Sequence, residues 1–336
     1  MTASTTCAHA GSLIDAGRFG DAIEMLAPHL ATNPEDAQAL CLAARAFLGL
    51  KDPWRAREAA QSAASLDPND EWPLRLLSIA NARLGRVPDA LHAAEQAVAV
   101  APNLWLAHYA LAEARYTTKQ APGLAWRAVL DAGRLAPNEP DVFRLQGQIA
   151  FRMDKTREAR AAFGQCLRLN PTDAVARHEL ARLSLKRGRL IAAANGFASS
   201  VSMDPRLQVG VSNLEVVAAV ALWVVSNVLL ATILLQMLFV LPLAAAITTT
   251  AVLLLGGIWF WRKAGRRTGR FLRTLPRRSP LLGLRAGLLG AGAIFMWLAA
   301  ILGTDSAWTT MALVAVLAGN VAGRRWTRQH KVAARP

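Results

Sequence analysis

The chain has 336 residues, 53% of them hydrophobic and only 18% charged, and carries a net charge of +15. Such a composition, with a positive mean hydropathy, excludes a disordered chain and is unusual for a wholly soluble one. Residues 1–210 hold 24 Lys and Arg against 21 Asp and Glu, whereas residues 211–336 hold 14 against 2, so the excess charge accompanies the apolar part and points to a membrane rather than nucleic acid.

The amino-terminal residues, MTASTTCAHAGSLIDAG, contain neither a basic nor an apolar segment of a signal peptide. The expectation is that the first two hundred residues stay in the cytoplasm. Arg outnumbers Lys 32 to 6, a bias that fits a bacterial genome rich in GC and so an inner membrane. Cys7, Cys41 and Cys166 are far apart, without the spacing of a disulfide framework or a metal site.

The first 210 residues are periodic. Prolines stand at Pro34, Pro68, Pro102, Pro137, Pro171 and Pro205, spaced by 34 or 35 residues. Each belongs to a turn between helices, because Pro lacks an amide and sets its own φ. Twelve residues before each lies Ala22, Ala56, Ala90, Ala125, Ala159 or Ala193. A second small column reads Ala10, Ala44, Ser78, Ala112 (after one inserted residue), Gly147 and Ala181. The third reads His29, Ala63, Ala97, Ala132, Cys166 and Ser200, with His29 its exception. Small residues in phase with the prolines predict six helical hairpins, whose helices approach where the facing positions carry no bulk. Pro28 falls inside a predicted second helix and should kink it, whereas Pro53 and Pro88 open theirs, where the missing amide is harmless.

On these columns the chain resembles the tetratricopeptide repeat (TPR) family, with its unit of 34 residues. It departs from the family at two bulky positions. These read Thr6, Leu40, Leu74, His108, Phe143 and Arg177 in one column, and Leu13, Phe47, Asn81, Arg115, Ala150 and Ser184 in the other. The resemblance implies a TPR-like solenoid over residues 1–207, with a groove lined by the first helix of each hairpin and suited to a protein or peptide. The positions it maps onto that groove are Arg45, Trp72, Arg75, Arg83, Tyr109, Glu113, Tyr116, Arg144, Phe151, Arg152, His178, Arg182 and Lys186. The set is basic with interleaved aromatics, residue types that anchor interfaces and favour acidic segments. The family's carboxylate-gripping Lys and Asn are replaced by Cys7 and Gly11, so no grip on a chain terminus is expected.

From Val216 to Trp261 no Asp, Glu, Lys or Arg occurs, too long for one bilayer crossing of about 20 residues and right for two. Pro242 marks the turn. Residues 208–336 thus read as a membrane domain of four helices, with spans near 214–236, 241–261, 281–302 and 306–323. The connection 262–280 carries Arg262, Lys263, Arg266, Arg267, Arg270, Arg273, Arg277 and Arg278 and no acid, and five more basic residues follow Gly323. Basic short loops stay inside, so both ends and the basic loop are expected in the cytoplasm, with the loop against membrane lipids. Trp259, Trp261, Trp308 and Trp326 fall at span boundaries. Gly283 with Gly287, and Gly319 with Gly323, permit close helix contact. Asn227, mid-span, is expected to bond another helix, and Arg285 to snorkel toward the inner surface.

Six histidines make no HExxH or Cys/His cluster, and GxxxxGK[ST] and GxSxG are missing. The spans hold no acid away from their edges, which argues against an ion-coupled transporter. The sequence therefore predicts an all-α protein, a TPR-like solenoid followed by a four-helix membrane region, that is not an enzyme and takes no cofactor or metal. It reads as a membrane-anchored adaptor for a protein partner, with self-association open and no nucleic-acid role. The alternative is a docking and membrane subunit of a transport or assembly complex.

Overall fold

The computed structural model describes residues 3–119, 121–204, 208–238, 279–302 and 306–333, with isolated positions between 247 and 262. Every element among them is helical. The helices fall into two compact units, residues 1–171 and 172–336, described separately below.

The first unit holds five hairpins. These are α1 (Ala3–Asp15) with α2 (Phe19–Thr32), α3 (Ala37–Gly49) with α4 (Pro53–Leu66), α5 (Glu71–Arg83) with α6 (Val87–Val100), α7 (Trp105–Thr117) with α8 (Pro122–Leu135), and α9 (Pro140–Arg152) with α10 (Thr156–Leu169). Within this unit the second helix of each hairpin packs on the first helix of the next, and the first helices α1, α3, α5, α7 and α9 touch in succession. The core is accordingly a chain of clusters along the stack, such as that of Ala44, Leu48, Ala56, Ala60, Leu76 and Ala80 between α3, α4 and α5.

The small columns are where the helices meet. Ala22, Ala56, Ala90, Ala125 and Ala159 are each at most 1% exposed, and Ala10, Ala44, Ser78 and Ala112 lie opposite, equally buried. Ser78 satisfies its hydroxyl by donating to the Ala90 carbonyl across the hairpin, at 2.8 Å. At Gly147 a methyl group would sit 2.5 Å from the ring of the fully buried Phe163. A bulky ring in α10 thus takes the space that an alanine fills elsewhere.

Helix starts follow from capping. Asp36, Asp52 and Asp70 each accept a backbone amide of the first turn, from Ala39, Arg55 and Trp72 respectively. Pro53, Pro88, Pro122 and Pro140 occupy the first or second helical position, as expected for Pro53 and Pro88. Helix α2 runs through Pro28 from Phe19 to Thr32.

The second unit contains the sixth hairpin, α11 (Ala174–Lys186) and α12 (Leu190–Met203). Among the described residues three long helices follow: α13 (Gln208–Leu238), α14 (Pro280–Leu302) and α15 (Ser306–Ala333). Helix α12 packs on α13 through Ala193, Ala194 and Phe197 against Leu214 and Val217. Helices α13, α14 and α15 enclose Leu229, Ile233, Leu289, Met296, Ala312 and Val316.

Among the described residues two helices, not four, are long and apolar enough to cross a membrane, over Asn213–Ile233 and Pro280–Ile301. The expected span 241–261 and the basic connection 263–278 lie almost wholly outside the described residues. Segment 306–323 is the apolar front of α15, which turns charged at Arg324.

Two finer expectations in this unit are corrected. The Asn227 amide donates to the Trp223 carbonyl of its own helix, at 2.8 Å, instead of bonding a neighbour. The inter-helix polar bond forms one residue earlier, where Ser226 donates to Asn320 at 2.8 Å; Asn320 also accepts from the Arg285 guanidinium at 3.2 Å. Arg285 is buried between helices rather than reaching outward. Of the glycine pairs, Gly319 and Gly323 do face α14, against Leu288 and Arg285, whereas Gly287 faces open space.

Candidate functional site

The first helices of unit one place most of the groove positions on one face, because residues one repeat apart take equivalent places on successive helices. Many of these side chains are already engaged. Arg45 on α3 bonds Asp15 of α1 at 2.5 Å, and Arg83 donates to the Leu48 carbonyl of α3 at 2.5 Å. Arg75 pairs with Glu71 one turn earlier on α5, both largely shielded from solvent. Arg144 pairs with Asp141 at 2.8 Å. Trp72 is half-buried, packed on the clusters of the first two hairpins, so it belongs to the core as much as to the face. Phe151 is half-buried on α9.

The densest part of the face lies across α5, α7 and α9. Tyr109 meets Trp105 edge-on, with ring centroids 6.0 Å apart. Burial, then the neighbouring Glu113 carboxylate, pushes the Tyr109 hydroxyl up to about 12, with Arg144 opposing them. Burial likewise raises Glu113, against the pull of Arg83 and Arg144. This half-shielded carboxylate thus feels the charge of a guanidinium group on each neighbouring hairpin. At the far end the Arg152 guanidinium lies over the Tyr116 ring, 3.7 Å from its centroid, and donates to the Tyr116 carbonyl. Arg152 itself remains exposed.

In unit two His178, Arg182 and Lys186 lie on α11. The structure does not leave His178 on an open face. It is 6% exposed, stacks at a tilt on Phe197 with centroids 5.2 Å apart, and lies 3.2 Å from the Asn213 amide through Nε2. Burial, then Arg182, depresses its pKa. Arg182 is half-exposed and bonds Glu179 at 2.9 Å, and Lys186 is exposed. Of the basic-loop residues only Arg262 is described, and it is exposed.

Sequence spacing missed two features. Asp141 joins the expected Glu113 in tempering the basic face, and an acid three residues before an arginine on a predicted helix was the available signal for it. The fold also gathers Cys7, His29 and Asp36, separated by 22 and 7 residues, into one cluster whose donor atoms all lie within 4.8 Å. The expectation of no Cys/His cluster, drawn from linear spacing, is therefore corrected.

Comparison with known proteins agrees on the repeat. The family model described as tetratricopeptide repeat matches residues 7–71 and 144–205. No curated protein matches the chain. Among solved structures, a chain of the Cut9–Hcn1 hetero-tetramer of APC/C aligns at 17% identity over 64% of this chain and 43% of its own, with a TM-score of 0.58. PilW, titled a widely conserved type IV pilus biogenesis factor, aligns at 17% identity over 61% of this chain and 94% of its own, with a TM-score of 0.53. A thermophilic TPR protein of Thermus thermophilus aligns at 23% identity over 52% of this chain and 94% of its own, with a TM-score of 0.48. The first two, at 17% identity, speak to fold alone. On the matched repeats, and on hairpins that repeat every 34 or 35 residues, residues 7–71 and 144–205 are similar to tetratricopeptide repeats.

Proposed function

We propose that the protein is a membrane-anchored adaptor that recruits a protein or peptide through the first-helix face of its repeats. The observation that carries this reading is the band of Arg83, Tyr109, Tyr116, Arg144 and Arg152 on three adjacent hairpins. Arg and Tyr side chains held by ion pairs and ring contacts lose little freedom on binding, which favours them as anchors. Net positive charge on the band selects an acidic segment over a basic one. In the same reading residues 1–207 form the recruiting array, and residues 208–336 hold it at the inner face through four spans, near 214–236, 241–261, 281–302 and 306–323. The basic loop 262–280 stays in the cytoplasm against anionic lipid.

The test is site-specific photo-crosslinking in the native cell, with the probe at Tyr109 or, as control, at Trp54 on an outer helix. A discrete adduct is expected from position 109 only, falling at least about tenfold in the double variant Arg83→Glu, Arg152→Glu, as expected when anchor charges are reversed. Equal adducts from both positions, or insensitivity to the reversal, would overturn the reading.

A second reading makes the membrane helices active parts of a larger complex. It is favoured by the Ser226–Asn320–Arg285 network, because buried ionisable groups in apolar helices often mark function. Loss of activity in Arg285→Leu with insertion and crosslinking intact would select it.

A further inference from the structure

We propose that the first repeat contains a transition-metal site with Cys7 Sγ, His29 Nε2 and one Asp36 oxygen as ligands and a zinc-class divalent ion as occupant. The donors come from three places: Cys7 on α1, His29 on α2, and Asp36 at the N-cap of α3. Nε2 of His29 lies 2.8 Å from Oδ2 of Asp36, and Sγ of Cys7 lies 4.0 Å from that same oxygen. Tetrahedral ligation with metal distances of about 2.0–2.3 Å separates ligand atoms by roughly 3.3–3.6 Å. Both measured separations bracket that range, so side-chain adjustments of under about 1 Å would close the site.

The repeat itself shows how unusual this corner is. Position 29 belongs to the third small column, whose other members Ala63, Ala97, Ala132, Cys166 and Ser200 are all fully buried. An imidazole replaces a methyl-sized group only here, and the Cys7 and Asp36 positions supply a thiol and a carboxylate in the same hairpin. The equivalent places in the second hairpin bring Cys41 and Asp70 next to Ala63, and so no imidazole. Asp36 is suited to a double task. One oxygen accepts the Ala39 amide at 3.0 Å and caps α3, while the other faces His29 and Cys7. A ligand carboxylate fixed by a second hydrogen bond is the arrangement that orients metal ligands well.

Charge balance agrees. Burial works to raise the Asp36 carboxyl, yet hydrogen bonds from the Ala39 amide, the His29 ring and the Gln38 amide hold it below its ordinary value, so it is ionised. Burial and the Asp36 charge raise the Cys7 thiol, which stays protonated without metal. A divalent ion displaces that thiol proton to solvent, and the hydrogen that His29 Nε2 donates to Asp36 leaves that nitrogen for solvent or for Nδ1, so that the ring binds as a neutral imidazole. Cation, thiolate, carboxylate and imidazole then sum to zero charge in a half-buried place, with the fourth position left to water. Mixed sulfur, nitrogen and oxygen donors select zinc or cobalt over magnesium or calcium.

The test titrates full-length, reduced, metal-stripped protein with Co²⁺ alone, then with Zn²⁺. Expected are thiolate-to-cobalt charge transfer in the near ultraviolet, tetrahedral visible bands, saturation at one equivalent, and displacement by Zn²⁺. Cys7→Ser should abolish the charge-transfer band and Cys41→Ser should leave it. His29→Ala, which installs the residue of three other repeats and so keeps the fold, should weaken binding at least about tenfold. Absence of the band, its persistence in Cys7→Ser, or unchanged affinity in His29→Ala would each overturn the site. The adaptor reading does not depend on this result.

Discussion

A residue with positive φ ends the first helix of every hairpin: Gly17, Lys51, Gly85, Lys119, Asp154 and Gly188, with φ between 59° and 75°. The amide that follows reaches back across the turn in five of them, as from Arg86 to the Asn81 carbonyl at 2.9 Å and from Asp52 to the Phe47 carbonyl at 2.9 Å. That bond defines the Schellman closure, which leaves a left-handed residue at its centre. Glycine accepts the conformation freely, whereas a β-carbon is disfavoured there by about 1 kcal/mol. Lys51→Gly should therefore raise stability by roughly 0.5–1 kcal/mol, and Gly85→Ala should lower it by a similar amount, read from urea unfolding midpoints of the full-length protein. Opposite signs from two substitutions in one column would attribute the effect to backbone conformation rather than to side-chain contact. This column escaped sequence reading because half its members are not glycine, so no single residue type fills it. The three small columns were legible because steric exclusion at a helix crossing acts on size, and size is visible in each letter. Even there, nothing in the string told Gly147 from an alanine, since its reason is the ring of Phe163, sixteen residues away.

The elements of the second unit show where the physics becomes non-local. Helix α13 is apolar on every side, so its sequence has no phase from which to read which polar residue faces a neighbour. Asn227 was the conspicuous candidate, yet its amide satisfies itself on the preceding turn, and the seam runs through Ser226, Asn320 and Arg285. His178 has the same origin: its repeat position pointed to the groove, but the large Phe197 ring and Asn213 close over it. That enclosure carries a pH signature. A buried imidazole with a depressed pKa is neutral in the folded state, while the unfolded chain takes up a proton near the ordinary value of about 6.5. The stabilisation is complete above that value and is lost as pH falls through the lower folded pKa. Thermal midpoints measured from pH 8 to pH 5 should thus fall more steeply in the wild type than in His178→Gln, which cannot titrate. Parallel curves would place no differential protonation at this ring. The cluster of Cys7, His29 and Asp36 was illegible for a related reason, because its members meet only after three helices have packed.

At the scale of the whole chain, charge asymmetry supplies the strongest constraint. Thirteen Lys and Arg lie in two short stretches, 262–278 and 324–335, beside the most apolar segments. Moving either stretch across a bilayer is strongly disfavoured, so both are expected on one side, with the repeats that precede the first apolar helix. An even number of crossings between repeats and tail satisfies both demands. The two membrane-length helices already described leave room for the further pair expected over 241–261 and 306–323. Cysteine accessibility can test this, because Cys7, Cys41 and Cys166 are buried and should give little background. In intact spheroplasts Ser306→Cys should react with a membrane-impermeant maleimide, whereas Arg328→Cys and Asp67→Cys should react only after permeabilisation. Labelling of position 67 from outside would put the repeats and the arginine-rich stretches on opposite faces. A partner of the repeats would then have to be sought in the other compartment.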